Sequence, residues 1–276
     1  MNQGCEPVKA GLCGVPETML WTLHNRASES VRQDAWFRDE HAERIYRSID
    51  YDYRRSFGPP DSSHAVRSMM FDEALRPWME NHPGGTVVEL GCGLETQFQR
   101  IDDGKVQWLC VDVPEAIDVR ERFLSSGPRC RHVRRSALDR AWMDEVDGGA
   151  GVFVTAQGLF MYFTEEQVRE LLLAILERFP GVEIMFDTIP PWFSRKTMAG
   201  MWKTPHYRAP QMPWGVLRNE IDPLLRGWSP RVESVTNEPY RYIRAGFFIR
   251  LFMLLARLPV LGNHVPVIVR VRGKKA

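Results

Sequence analysis

The chain alternates short apolar runs with longer stretches in which apolar and charged residues are spaced as in amphipathic helices. Short apolar runs bounded by turn residues are typical of buried parallel strands. Strands that alternate with helices predict an α/β fold, a mostly parallel sheet with right-handed crossovers. The runs predicted to form strands are Val87–Leu90, Val106–Val111, Arg131–Arg134, Gly151–Thr155 and Val182–Phe186, with Val265–Val269 as a terminal strand.

Helical periodicity precedes the first strand and recurs between the later ones. It predicts a helix from Pro16 to about Tyr53, a second from Ser62 to Asn81, and a third from Glu165 to Phe179 with Thr164 as its N-cap. The chain then divides into four segments. They are an N-terminal arm with helices (1–85), a sheet core (86–189), a cap rich in aromatic residues (190–245), and a C-terminal helix and strand that complete the core (246–276).

A glycine turn follows the first predicted strand. Gly91 and Gly93 flank Cys92, and Asp112 stands at the end of the next strand. An acid about 20 residues after such a turn suits the hydroxyl groups of a ribose, which predicts a nucleoside site. Thr96 occupies the position of the third glycine in a dinucleotide fingerprint. Glu89, just before the turn, would repel a pyrophosphate and suits a ligand with an ammonium group.

Composition and charge narrow the function. The net charge is +1, but residues from Pro191 onward hold 15 Lys and Arg against 4 Asp and Glu, and the remainder holds 21 against 31. A basic C-terminal third indicates either an acidic substrate or partner, or a solvated basic face. The basic residues form no concentrated run, which argues against nucleic acid. Five cysteines without a CxxC pair indicate a reducing compartment, with no disulfide framework and no metal site predicted.

The two ends of the chain carry no predicted membrane anchor. Residues 1–16 are polar and lack the apolar segment of a signal peptide. The apolar run within Tyr240–Ala276 is interrupted by Arg250 and Arg257 and is too short to span a bilayer. A buried or dimer-forming helix is favoured there over a membrane-surface helix. We therefore expect a cytoplasmic protein with no integral membrane segment, for which a homo-oligomer is one expected form.

Eight segments carry a family resemblance in one order and at matching spacing: HNRASES, DYDYRRSFG, AVRSMMFDEAL, VVELGCGLETQFQR, VDVPEAIDVRERFL, SALDRAW, AQGLFMYFTEEQV and RFPGVEIMFD. Together they resemble the leucine carboxyl methyltransferase superfamily, in the bacterial branch similar to the tetracenomycin polyketide methyltransferase. The resemblance spans about Thr22 to Asp187. It implies a class I, Rossmann-like methyltransferase fold and S-adenosyl-L-methionine as the cofactor.

The resemblance also implies roles for single residues. Arg26 and Arg67 match basic residues that grip the methionyl carboxylate, Asp112 with Val113 matches the ribose site, and Ala137 and Leu138 match the pair that flanks adenine. Gly91 and Gly93 match the cofactor turn. Gln157 stands where the family usually carries Glu, so it offers a neutral acceptor to the cofactor's ammonium group. Glu89 is then expected to supply the missing anion.

Substrate recognition is expected after Asp187, where the resemblance ends. Aromatic side chains suit a planar ligand and cationic ones suit an anion, although an inward-packed cap has the same composition. The predicted substrate residues are Trp192, Trp202, Trp214, Tyr207 and Arg195. A carboxylate acceptor is ionised near neutral pH and needs no base. A phenol must lose its proton, for which Tyr162, His206 and His64 are the candidate catalytic residues.

The function predicted from the sequence is therefore an S-adenosylmethionine-dependent O-methyltransferase of secondary metabolism. The acceptor is a small aromatic or polyketide-type acid, which would yield a methyl ester, or a phenol. Two alternatives are methylation of a protein C-terminal carboxylate and a cofactor-binding regulatory protein without turnover.

Overall fold

The apolar runs form one seven-stranded sheet in the computed structural model, which describes residues 9, 11–241 and 259–275. The strands are β1 Thr86–Leu90, β2 Gln107–Asp112, β3 Cys130–Arg134, β4 Val152–Ala156, β5 Glu183–Thr188, β8 Val232–Pro239 and β9 Val267–Gly273. The strand order is β3-β2-β1-β4-β5-β9-β8. Neighbours among β1 to β5 are parallel, whereas β9 runs antiparallel to both β5 and β8. The α/β fold with its mostly parallel sheet is confirmed.

The described α-helices are α1 Thr18–Ser30, α2 Glu40–Ser48, α3 Tyr53–Phe57, α4 Ser63–Asn81, α5 Gln97–Ile101, α6 Pro114–Arg120, α7 Glu165–Arg178, α8 Pro191–Met198, α9 Ile221–Trp228 and α10 Pro259–Gly262. The single helix predicted from Pro16 to Tyr53 is wrong, because the chain leaves α1 at Ser30 and starts α2 after Asp39. The Asp39 side chain accepts from the amide of Ala42 at 2.9 Å and so caps α2. The capping box of Thr164 on α7 is present.

Both faces of the sheet are covered, as its apolar strands require. Side chains alternate along β1, so Val88 and Leu90 join the core cluster that contains α7, whereas Val87 joins the cluster that contains α4. A third cluster joins α1, α2 and α3 above the sheet and includes Leu94, which follows the glycine turn. The N-terminal helices therefore pack directly on the segment predicted to bind a nucleoside.

The cap is shorter than its predicted range of 190–245. Helix α8 and the hairpin of β6 (Trp202–Thr204) and β7 (Tyr207–Arg208) leave the sheet, but β8 returns to pair with β9. The hairpin rests on the N-terminal helices: Tyr207 meets Phe57 edge to face at 4.8 Å, and Thr204 Oγ1 donates to the carbonyl of Arg55 at 2.8 Å. The cap and the N-terminal helices thus enclose the region above the sheet edge.

Part of the predicted C-terminal helix falls at residues 242–258, outside the described residues. Within residues 11–241 and 259–275, no helix combines the length and the apolar character that crossing a bilayer requires.

Candidate active site

A cavity of about 280 Å³ lies at the carboxyl ends of β1, β2 and β4. Gly91 and Gly93 line it with φ angles of +67° and +42°, a region that side chains rarely adopt. A Cβ atom on Gly93 would lie 2.9 Å from the Cβ of Met19, and one on Gly91 would lie 2.9 Å from Leu159. The turn therefore needs glycine both for its backbone angles and for the close approach of these two side chains.

Asp112 closes the turn from the neighbouring strand. Its Oδ2 accepts from the amide of Gly93 at 2.8 Å, and its Oδ1 accepts from the amide of Val113 at 2.8 Å. Burial raises the pKa of this carboxyl group to about 6, although these two hydrogen bonds favour the ionised form. A carboxylate oxygen accepts more than one hydrogen bond, so Asp112 retains capacity for ribose hydroxyl groups in the cavity it lines.

Part of the lining of the small cavity suits a flat base. Val113, Ser136, Ala137, Leu159 and Phe163 line it, which places the predicted Val113 and Ala137 at the site. Leu138 is not part of the lining; it packs against the core cluster of the sheet instead. The predicted pair at the adenine position is therefore reduced to Ala137, with Leu159 and Phe163 as additions from the segment after β4.

Arg67 on α4 also lines the small cavity. Its Nη1 donates to Asp187 Oδ2 at 3.2 Å, whereas its buried Nε has no hydrogen-bond partner among the described residues. Asp187 also accepts from the amide of Gly158 at 2.5 Å and from the hydroxyl group of Tyr240 at 2.7 Å. A Cβ on Gly158 would lie 2.5 Å from Arg67 Nη1. These contacts fix the guanidinium, and Nε keeps a hydrogen that no described residue accepts.

Gln157 provides the complementary acceptor. It is buried and lines the same cavity, its Nε2 donates to Gln97 Oε1 at 3.4 Å, and its Oε1 has no partner among the described residues. Buried polar atoms are nearly always hydrogen-bonded in a complete site. An orphaned donor and an orphaned acceptor in one cavity fit the carboxylate and the ammonium of an amino acid, beside the ribose site at Asp112.

The structure corrects the prediction for Arg26. This fully buried arginine lines neither cavity described here; its Nη1 lies 2.9 Å from both Asp39 and Glu95, and its Nη2 donates to the carbonyl of Leu94 at 2.7 Å. Leu94 and Glu95 do line the small cavity. Arg26 therefore holds the segment after the glycine turn in place from outside the cavity, within an ion-pair network in which it shares Asp39 and Glu95 with Arg100.

The prediction for Glu89 is corrected as well. Alternation along β1 turns this side chain away from the cavity, toward Trp108 and Cys110 on β2. Burial raises the pKa of Glu89 well above its usual value. A buried carboxyl group outside the cavity lining cannot replace the family's usual Glu at position 157.

Arg120 on α6 is a residue that the sequence did not single out. It is fully buried, and its Nη1 donates to the carbonyl oxygens of Gly93 at 3.0 Å and Glu95 at 2.6 Å. The same guanidinium contacts Cys110 Sγ at 3.3 Å and His132 Nε2 at 3.3 Å. Cys110, Cys130 and His132 come close enough to suggest a metal site, which their spacing did not predict. The guanidinium of Arg120 already places a positive charge in this cluster, which disfavours a metal cation there. Its hydrogen bonds to the two carbonyl oxygens hold the glycine turn in place.

A second cavity of about 790 Å³ adjoins the first. Thr18, Thr22, Arg67, Gly158 and Tyr162 line both. The lining of the larger cavity includes the apolar side chains of Trp21, Met161, Ile189, Phe193 and Met212. Its volume and its flat apolar surfaces suit a drug-sized planar ligand. A ligand there would meet the amino acid end of the nucleoside at Arg67 and Tyr162.

The predicted Tyr162 lies at this junction, and burial raises the pKa of its phenol. The predicted His206 does not. It is exposed in the turn of the β6–β7 hairpin, and its amide donates to Thr204 Oγ1 at 3.2 Å. Because it lines neither cavity, we withdraw His206 as a candidate catalytic residue.

The five predicted substrate residues also lie outside the lining of both cavities. Trp192, Trp202 and Arg195 are exposed, whereas Trp214 is buried in the main core and Tyr207 is buried against Phe57. Aromatic content alone did not indicate which side of α8 faces inward. The cap contributes Phe193 and Met212 instead.

His64 is the titratable side chain of the larger cavity whose state the structure defines best. The amide of Asp61 donates to Asn25 Oδ1 at 3.2 Å, so Asn25 Nδ2 is the atom that lies 2.9 Å from His64 Nδ1 and 3.0 Å from Asp61 Oδ1. Burial, with Arg67 nearby, lowers the pKa of His64 to about 3, so the ring is neutral. Since Nδ1 accepts from the amide group, the ring proton belongs on Nε2.

Comparisons with known proteins identify relatives of this chain. The family model of leucine carboxyl methyltransferases matches residues 19–176. The chain is 33% identical over 187 residues to the tetracenomycin polyketide synthesis O-methyltransferase TcmP of Streptomyces glaucescens, covering 67% of this chain and 69% of that protein. It is 28% identical over 202 residues to the S-adenosyl-L-methionine-dependent methyltransferase dpfgK of Gibberella zeae, covering 65% and 67%.

Among solved structures, the methyltransferase domain of bacterial CtHen1 aligns with a TM-score of 0.50 at 13% identity, over 76% of this chain and 99% of that one. A likeness at this identity demonstrates the shared fold.

Proposed function

This chain belongs to the leucine carboxyl methyltransferase family and is an S-adenosylmethionine-dependent methyltransferase; on that premise we propose that it methylates a carboxyl oxygen of a small aromatic or polyketide-type acid. When bound, S-adenosylmethionine supplies an electrophilic methyl group. Asp112, Arg67 and Gln157 bind this cofactor in the small cavity, and the larger cavity beside it receives the acceptor. Transfer then requires the acceptor oxygen to be held in line at about 3 Å.

The protonation states of His64 and Tyr162 decide which acceptor we favour. His64 presents an N–H rather than a lone pair, and the raised pKa of Tyr162 keeps its phenol protonated at neutral pH. Both side chains can orient an oxygen, but neither is poised to remove a proton. A carboxylic acid has already lost its proton near neutral pH. Because neither of these two candidate bases can take the proton of a phenol, we favour an ionised carboxylate as the acceptor.

An assay with two probes on one planar framework tests this proposal. We expect protein incubated with methyl-labelled S-adenosylmethionine to transfer label to anthraquinone-2-carboxylic acid, in a form that mild base releases. Transfer to 2-hydroxyanthraquinone, which would leave base-stable label, should be much slower. Faster labelling of the phenol would contradict the carboxylate acceptor. Tight binding of the cofactor without transfer to either probe would instead favour a binding protein.

Gln157 gives a test of the amino acid end of the cofactor site. A Gln157→Glu variant is expected to bind S-adenosylhomocysteine about fivefold more tightly, because a charged acceptor strengthens the hydrogen bond to the ammonium group. Its affinity for 5′-methylthioadenosine, which lacks that end, should not change. Titration calorimetry with both ligands measures the difference. An unchanged or weaker affinity for S-adenosylhomocysteine would remove Gln157 from the ammonium site.

A further inference from the structure

We propose that His64 fixes the substrate's carboxylate by donating its Nε2 hydrogen bond to the oxygen that is not methylated, and that Asn25 and Asp61 enforce this by setting the ring tautomer. The inference rests on the proposed function, since it names the group that recognises the acceptor. His64 here is a specificity-determining residue and not a base.

Position supports this role. His64 and Arg67 are three residues apart on α4 and so lie on the same face of the helix. Arg67 lines both cavities, whereas His64 lines only the larger one. The Nε2 donor is therefore about one helical turn from the boundary at which the cofactor's amino acid end and the substrate meet. Among the described residues the hydrogen-bond partner of the His64 ring is the Asn25 amide at Nδ1, which leaves Nε2 for a ligand.

The tautomer of His64 is fixed by a series of hydrogen bonds that runs from α1 to the start of α4. Asp61 fixes the orientation of the Asn25 amide through its backbone N–H and its carboxylate. The same carboxylate accepts from the amide of Ser63 at 2.8 Å at the first turn of α4. Asn25 is buried, and Trp21 packs edge-on against the His64 ring at 5.8 Å. A histidine that only fills space would not need these hydrogen bonds to fix the position of its ring proton.

The chemistry suits an attacking carboxylate. A guanidinium on the acceptor would draw charge from both oxygens through bidentate pairing. A neutral imidazole N–H gives direction with a weaker pull on the charge, so the second oxygen stays nucleophilic. The low pKa of the ring keeps the donor neutral across the physiological range.

The first experiment reads the tautomer and needs no substrate. We expect long-range ¹H–¹⁵N spectra of histidine-labelled full-length protein, assigned by comparison with His64→Gln, to place the His64 proton on Nε2 at pH 7. In Asn25→Asp the new carboxylate can only accept from Nδ1, so the proton should move to Nδ1. A wild-type ring protonated on Nδ1 would overturn the proposal, whatever the enzyme methylates.

The second experiment measures binding of anthraquinone-2-carboxylic acid by calorimetry with S-adenosylhomocysteine present. His64→Ala and Asn25→Asp are expected to weaken binding of the acid about tenfold, which corresponds to one hydrogen bond to a charged group. His64→Gln, which keeps an N–H donor, should recover most of the affinity. His206→Ala, which removes an exposed histidine, should have no effect.

Affinity for S-adenosylhomocysteine should be the same in all these variants, and this shows that the fold and the cofactor site are intact. Unchanged binding of the acid in His64→Ala would overturn the role of His64. Wild-type protein that binds and methylates 2-hydroxyanthraquinone but not the acid would overturn the proposed acceptor, and with it the carboxylate contact, while the tautomer result would stand separately.

Discussion

An Arg67→Ala variant should bind S-adenosylhomocysteine about 100-fold more weakly than the wild type and bind 5′-methylthioadenosine almost equally well. Arg67 holds one guanidinium nitrogen on Asp187 and leaves buried Nε without a partner in the cofactor cavity. A buried charged hydrogen bond contributes about 1.5–3 kcal/mol, and only S-adenosylhomocysteine carries the carboxylate that receives it. Calorimetry with the two ligands isolates that contact.

The substitution will also lower stability, because Asp187 is left buried without its cation. Leu171→Ala is a suitable control. It removes buried side-chain volume from α7, outside both cavities, and is expected to cost about 2–5 kcal/mol of unfolding free energy. If Arg67→Ala weakens both ligands to the same extent, or if Leu171→Ala reproduces the loss, Arg67 does not bind the carboxylate.

An Asp112→Asn variant should lose about 30-fold in affinity for both ligands, since both carry the ribose. The carboxylate accepts from the amides of Gly93 and Val113, and an amide group would direct N–H donors at one of them. The variant therefore loses a ribose acceptor and loosens the turn together. A loss confined to S-adenosylhomocysteine would show that Asp112 is not at the ribose.

The raised pKa of Asp112 adds a pH dependence to the same experiment. The ionised carboxylate is the stronger acceptor and dominates above a pKa of about 6. Wild-type affinity for 5′-methylthioadenosine should therefore fall as the pH is lowered from 7.5 to 5, by about tenfold at most. Asp112→Asn has no carboxyl group to titrate there, so its affinity should stay level. A wild-type affinity that is constant over this range would contradict the assignment.

The glycine turn and its acid were predictable because they follow from local chemistry. Gly91 and Gly93 need positive φ, and an acid at the end of the next parallel strand must lie beside them. Arg26 and Arg67 could not be separated in this way. Both are buried arginines on N-terminal helices with an unpartnered Nε, yet Arg26 meets two carboxylates and lines neither cavity, whereas Arg67 meets one and lines both. That difference depends on Asp39 and Glu95, which come from distant parts of the chain.

The substrate-binding residues were predicted less well, because composition does not show which side of a helix or hairpin lines a cavity. The aromatic residues after Pro190 indicated a cap, but a helix and a hairpin present only one side to a cavity. Trp192 and Phe193 are neighbours on α8, and only Phe193 lines it. Asp61 and His64, next to and on the start of α4, contribute polar lining instead, and Asn25 of α1 joins them through hydrogen bonds from a distant part of the sequence.

The sequence by itself determined the parallel strands of the core, the nucleoside turn with its acid, and the family, because each follows from periodicity or from residues close together in the chain. Only the tertiary structure decided which charges are already balanced and which remain for a ligand. It places Glu89 and Arg26 outside the lining of the cofactor cavity, and it places the ring proton of His64 on Nε2, where we propose that it meets the substrate. A charge's availability depends on every group packed around it, and those groups are brought together only by folding.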